Sequence, residues 1–77
     1  MNPSLADSVL VRVNPAQNNG SDVAPAVITR VWGPTMVNLR VLIDEPTMPL
    51  SMTSVTLFAS EQEAGDNERA CWWPPHV

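Results

Sequence analysis

Arginine and tryptophan are the residues of this chain with the most distinctive chemistry. All four basic residues are arginine (Arg12, Arg30, Arg40 and Arg69), and there is no lysine. A guanidinium group is a planar fork that matches carboxylate or phosphate and stacks on aromatic rings. Composition alone, through arginine-rich codon usage, can also produce such a set. The aromatic residues are three Trp and one Phe. If the two β-branched runs around residue 34 pair as a hairpin, one face carries Arg30 and Trp32 beside Asn38 and Arg40. Two guanidinium groups, an amide and an indole then come within reach of one small, anionic, planar partner. Trp72 and Trp73 are consecutive, so in a strand they point to opposite sides. An outward Trp is a stacking platform or an interface anchor. Trp73 therefore joins Arg30, Trp32, Asn38 and Arg40 as the candidate ligand-binding set. The structural alternative is an ordinary exposed strand face whose arginine stems cover apolar surface, with the Trp side chains in the core or capping its ends.

Catalysis has little to work with. A nucleophile needs a base held on a rigid scaffold. The single histidine, His76, follows two prolines next to the last residue of the chain, where mobility is common. Asp44 and Glu45 are adjacent, so in a strand they point to opposite faces and make a poor acid/base pair. No Gly-rich phosphate loop, no HExxH and no paired metal-ligand spacing occurs. Cys71 and His76 are the only soft ligands, and two do not complete a tetrahedral zinc site. The expectation is a non-enzymatic protein with no metal and no cofactor.

These groups must be positioned by strands. Ser8 to Val13 alternates, with Val9, Val11 and Val13 on one face and Leu10 and Arg12 on the other. Residues Met1 to Ala6 form a lead-in, in which Pro3 and Ser4 can begin a turn. Asn14 to Asp22 is dense in turn formers and reads as a loop. Pro25 to Trp32 and Met36 to Asp44 are strands around a three-residue turn, Gly33-Pro34-Thr35. That register sets Trp32 opposite Met36, Val31 opposite Val37, Thr29 opposite Leu39 and Val27 opposite Val41, which gathers the aliphatics on one buried face. A two-residue loop would instead pair Arg30 with Val37 and Ile28 with Leu39, carrying a charge onto that face, so the three-residue turn is expected. The outer face then holds Ala26, Ile28, Arg30 and Trp32 beside Met36, Asn38, Arg40 and Leu42. Glu45 to Pro49 is a turn, and Met52 to Phe58 is a further strand. Residues 59–69 are acidic and are either a loop or one helical turn ended by Gly65. Ala70 to Trp73 is a short last strand, stopped by Pro74-Pro75, which cannot donate to a ladder.

Four or five short strands with no long helix predict an all-β fold. An open sheet this small leaves costly edges. A small antiparallel barrel or curled sheet, SH3-like or OB-like, follows as one domain over residues 1–77; a flat meander that closes by dimerising is the alternative. Seventy-seven residues lie near the lower limit for one hydrophobic core. With a lone cysteine and no metal set, self-association is the remaining staple, so a homo-oligomer is expected. The net charge of −4 argues against nucleic acid as the partner, because neutralising a phosphate backbone requires a basic surface. No apolar run approaches the ~20 residues of a membrane helix, and no basic stretch leads into an apolar one as in a secretory leader. With one unpaired cysteine, a cytoplasmic location is expected.

The segments Ala24-Pro-Ala-Val-Ile-Thr-Arg-Val-Trp32, Val37-Asn-Leu-Arg-Val41 with Asp44, Thr53-Ser-Val55 and Trp72-Trp-Pro-Pro75 together resemble a set of small proteins encoded by tailed bacteriophages and prophages. Their pattern is A-A-I-V-T-x-V-W, V-N-L-x-V-x-x-D, T-S-V and W-x-W-P, and the resemblance spans about residues 24–75. Pro25 replaces the second alanine. Cys71-Trp72 stands where that set often has Trp-His, so no role for a histidine there carries over. The resemblance implies a phage origin and a non-enzymatic accessory role. Two roles fit. One is an anti-defence sponge in the host bacterial cytoplasm, sequestering a cyclic or modified nucleotide used as an immune signal. The other is a virion accessory protein, a capsid decoration or tail component, acting by contact with virion proteins.

Overall fold

A computed structural model describes residues 2–43 and 50–75. The expected turn from Glu45 to Pro49, the Asp44–Glu45 pair and His76 lie outside the described residues. Five strands form: β1 (Ser8–Arg12), β2 (Val23–Gly33), β3 (Met36–Val41), β4 (Leu50–Phe58) and β5 (Ala70–Trp72), with one short helix, α1 (Glu61–Ala64), between β4 and β5. They close into a barrel in sequential order, β5 returning to β1. The all-β barrel expected from the alternation is therefore what the chain adopts, and the sequential order is a meander rather than the Greek key of an OB fold. Among the described residues no helix is long and apolar enough to cross a membrane.

Closure with five strands has a topological consequence. Neighbours around a ring cannot all be antiparallel when their number is odd, so one seam must be parallel. That seam is β4–β5, and β5–β1 is antiparallel. Parallel neighbours need a crossover connection rather than a tight hairpin, and residues 59–69 provide it. Ser60 caps α1, its Oγ accepting from the Glu63 N–H at 3.3 Å. Gly65 ends it at φ 57°, ψ −130°, a conformation open essentially to glycine alone. The acidic segment is thus the single helical turn that its glycine suggested.

The interior is lined by Val9, Val11 and Val13, by Ala24, Ala26 and Ile28, by Val37, Leu39 and Val41, and by Val55, Leu57 and Cys71. β1 is as expected, with Val9 and Val11 inward and Val13, just past its end, buried as well. β2 is not. Ala26 and Ile28, expected outside, are buried, while Val31 is 37% exposed and Val27 is only half-buried. The exchange at Ala26, Val27 and Ile28 comes from the first of two bulges. Ile28 opposes Leu39 and Arg30 opposes Asn38, leaving Thr29 over; Val31 opposes Val37 and Gly33 opposes Met36, leaving Trp32 over. Each extra residue moves the strand by one position and exchanges its faces. The expected three-residue turn contracts to Pro34-Thr35, because Gly33 pairs with Met36 and the extra residue is taken up in the bulge at Trp32.

β4 carries a third irregularity: Val55 opposes Val37 but Met52 opposes Leu39. At this bulge Ser54 adopts φ 54°, a left-handed conformation that costs a side-chain-bearing residue about 1–2 kcal/mol. Ser54→Gly is expected to stabilise the barrel by about 0.5–1 kcal/mol after the added flexibility of the unfolded chain is discounted. A rise in the urea midpoint at unchanged slope is the measurement; a fall would mean the serine itself supports the bulge.

Candidate functional site

The segment between the two bulges of β2 builds the outer patch. Thr29 and Trp32 are the extra residues, so only Arg30 and Val31 there keep the register expected from the sequence, and Arg30 sits directly across from Asn38. The Arg30 guanidinium carbon lies 4.1 Å from the centre of the Trp32 ring, a stacked cation–π pair. The Trp32 indole Nε1–H donates to Asn38 Oδ1 at 2.8 Å, and the Ser54 backbone N–H donates to the same oxygen at 2.9 Å. Two donors facing one end of the carboxamide identify that end as the oxygen. Asn38 thereby ties the bulge of β2 to the bulge of β4 and fixes the indole plane. Trp32 is nonetheless 54% exposed, and Arg30 is exposed as well. Burial does not explain this arginine–tryptophan pair.

Arg40 is not part of that unit. It shares the outer face of β3 with Asn38, but its cross-strand partner is Val27, and its Nη1 donates to Ser51 Oγ at 3.5 Å across on β4. The shift at Thr29 separates it from Arg30 by more than the single register suggested. Trp73 is also elsewhere. It is half-buried against the barrel core and lines an open groove of about 1000 Å³ at the Pro34-Thr35 end of the barrel. Of the five candidate residues, Arg30, Trp32 and Asn38 are brought together, Arg40 flanks them, and Trp73 is apart.

A second arginine–tryptophan pair shows what a structural role looks like. Trp72 points out of the barrel but is 1% exposed, because α1 and its flanks fold over it. It clusters with Ala64 and Ala70, with Leu10, Val23 and Phe58 packed around. The Arg12 guanidinium lies over the ring at 5.2 Å, and its Nε is buried without a hydrogen-bond partner. The indole face partly offsets that unmet donor. Arg12 also lines a cleft of about 680 Å³ at the opposite barrel end, with Arg69, Glu68 and Asp22; among the described lining residues two cations balance two carboxylates. The Arg69 guanidinium donates to the Thr53 carbonyl.

Among the described residues no three histidine, cysteine or acidic side chains gather as a metal set. Cys71 is fully buried in the core, and burial pushes its thiol from the ordinary 9.0 up to about 12. The unfolded chain therefore loses a proton near pH 9 that the folded chain keeps. Stability is full below that pH and falls as pH rises towards 12. The native thiol is expected to resist thiol reagents at pH 8 and to react on unfolding in urea; rapid labelling of native protein would show that β5 opens.

Sequence reasoning missed Ser54, whose backbone locks the patch, and the groove beside Trp73. The first depends on a bulge that no alternation reveals. The second had a signal in the Pro74-Pro75 pair, which read only as the end of a strand. In comparisons with family models, with curated proteins and with solved structures, no match to this chain was found.

Proposed function

We propose that the protein is a non-enzymatic binding protein whose outer β2–β3 face takes a small, planar, anionic ligand of the nucleotide class. The observation that supports this reading is the Arg30–Trp32 stack, exposed to solvent yet held in place through Asn38. A guanidinium carbon 4.1 Å over an indole ring brings N–H donors for a phosphate beside an exposed aromatic surface on which a base can stack. Orientation is fixed before binding, which lowers the ordering cost of association. Arg40 on the next outward position of β3 adds a second cation at longer range.

Together with the resemblance to small phage proteins, this reading makes the chain an anti-defence sponge that sequesters a cyclic or modified nucleotide signal in the cytoplasm of the infected host. Self-association is part of the reading, since a symmetric pair of these faces presents two guanidinium groups to a two-phosphate ligand. Titration calorimetry with cyclic di- and trinucleotides and ADP-ribose derivatives tests it, and light scattering tests the assembly state. Absence of heat across the panel counts against it.

A second reading is favoured by one observation. Leu5, Val31 and Leu42 are exposed apolar side chains (67%, 37% and 54%), apolar surface that a protein partner would cover. On that reading the barrel is a virion accessory protein. Mass spectrometry of purified particles separates the two: a high-copy virion component appears in every preparation, and a sponge does not.

A further inference from the structure

We infer that the groove beside Trp73 is a docking site for an extended polypeptide segment in which arginine or lysine stands beside apolar residues. This site is separate from the Arg30–Trp32 face and does not depend on it. The groove lies where the Pro34-Thr35 turn, the end of β4 and the chain after β5 meet. Pro74 and Pro75 have no N–H and cannot extend the β5 ladder, so the chain leaves the barrel there and becomes a wall. Phe58 and Trp73, both half-buried, supply an apolar floor with large, rigid side chains, the type that anchors protein interfaces.

Charge selects the occupant. The groove's lining includes Glu61 and Glu63 and no arginine. Arg12 and Arg69 line the cleft at the other end, and Arg30 and Arg40 lie on the β2–β3 face. A nucleotide or a nucleic acid would meet two carboxylates with no compensating cation among the described lining residues. A second copy docking by the same face would set the same two carboxylates against each other. A cationic and apolar segment meets complementary charge at the rim and apolar surface on the floor.

The test is to pan a displayed library of short random peptides against the full chain, then titrate an enriched peptide into ¹⁵N-labelled protein. The enriched sequences are expected to carry arginine or lysine next to leucine, proline or aromatic residues. The Trp73 indole N–H signal should shift while that of Trp32 stays in place. Charge reversal in the exposed pair, Glu61→Lys with Glu63→Lys, should weaken the peptide at least about tenfold without altering the fold, and Trp73→Ala should weaken it further. Failure to enrich any sequence, enrichment of acidic or uncharged sequences, shifts at Trp32 instead of Trp73, or binding indifferent to the charge reversal would each overturn the proposal. Because the nucleotide panel reads Trp32 and the peptide reads Trp73, either site can fail without the other.

Discussion

Trp72→Ala is expected to leave the chain unfolded at 25 °C. Removing a buried tryptophan costs about 3–5 kcal/mol, and a core of this size supplies no more than about that in total. Trp72 is not in the barrel interior. It is the largest fully buried side chain, and it fastens the crossover to the outside of the barrel through Ala64 and Phe58. Without it the 59–69 segment has little to pack on, and that segment is what makes the parallel β4–β5 seam possible. Loss of β5 reopens the ring and exposes two strand edges. Circular dichroism and proton NMR should show loss of cooperative structure, with aggregation. A cooperative urea transition near the wild-type midpoint would mean that the barrel closes without its outer cluster.

Arg30→Ala and Trp32→Ala are expected to behave in the opposite way, keeping the fold and losing the ligand. Both side chains are exposed, so either deletion should change stability by less than about 1 kcal/mol. For binding, loss of a base-stacking indole costs about 1–3 kcal/mol, and loss of a charge-assisted contact about 1.5–3 kcal/mol. Each is a weakening of roughly ten- to a hundredfold. The two effects should not add, because the guanidinium and the indole orient each other. Arg30→Lys is expected to restore little, since an ammonium neither stacks nor forks. Arg40→Ala should cost less than Arg30→Ala, as its guanidinium is turned towards Ser51. Equal losses for the two arginines would return Arg40 to the centre of the site.

The barrel was legible from alternation wherever a strand keeps one register. Val9, Val11 and Val13 against Leu10 and Arg12 specify β1 completely, and Val37, Leu39 and Val41 do the same for β3. β2 departs from this pattern, because counting valines selects the register that buries Val27, while the chain shifts at Thr29 to bury Ala24, Ala26 and Ile28. A narrow five-stranded ring has room for alanine where it turns, and period-two reasoning has no means of finding an extra residue. The pairing of Arg30 with Asn38 was still readable, since both lie in the stretch between the shifts. Arg40, one bulge further on, was placed beside them for the same reason that Ile28 was placed outside. The tryptophan pair shows another limit. Opposite directions for Trp72 and Trp73 follow from a strand, but which of them is covered depends on where the crossover lies, a fact of topology and not of local pattern.

The most direct measurement is a pair of calorimetric titrations, wild type and Trp32→Ala, each against the same set of cyclic oligonucleotides and ADP-ribose derivatives. Saturable heat from at least one member is expected with the wild type, with its loss in the variant while the variant's thermal transition is unchanged. Silence from the whole set with the wild type, or equal heats from the two proteins, would contradict the proposed site.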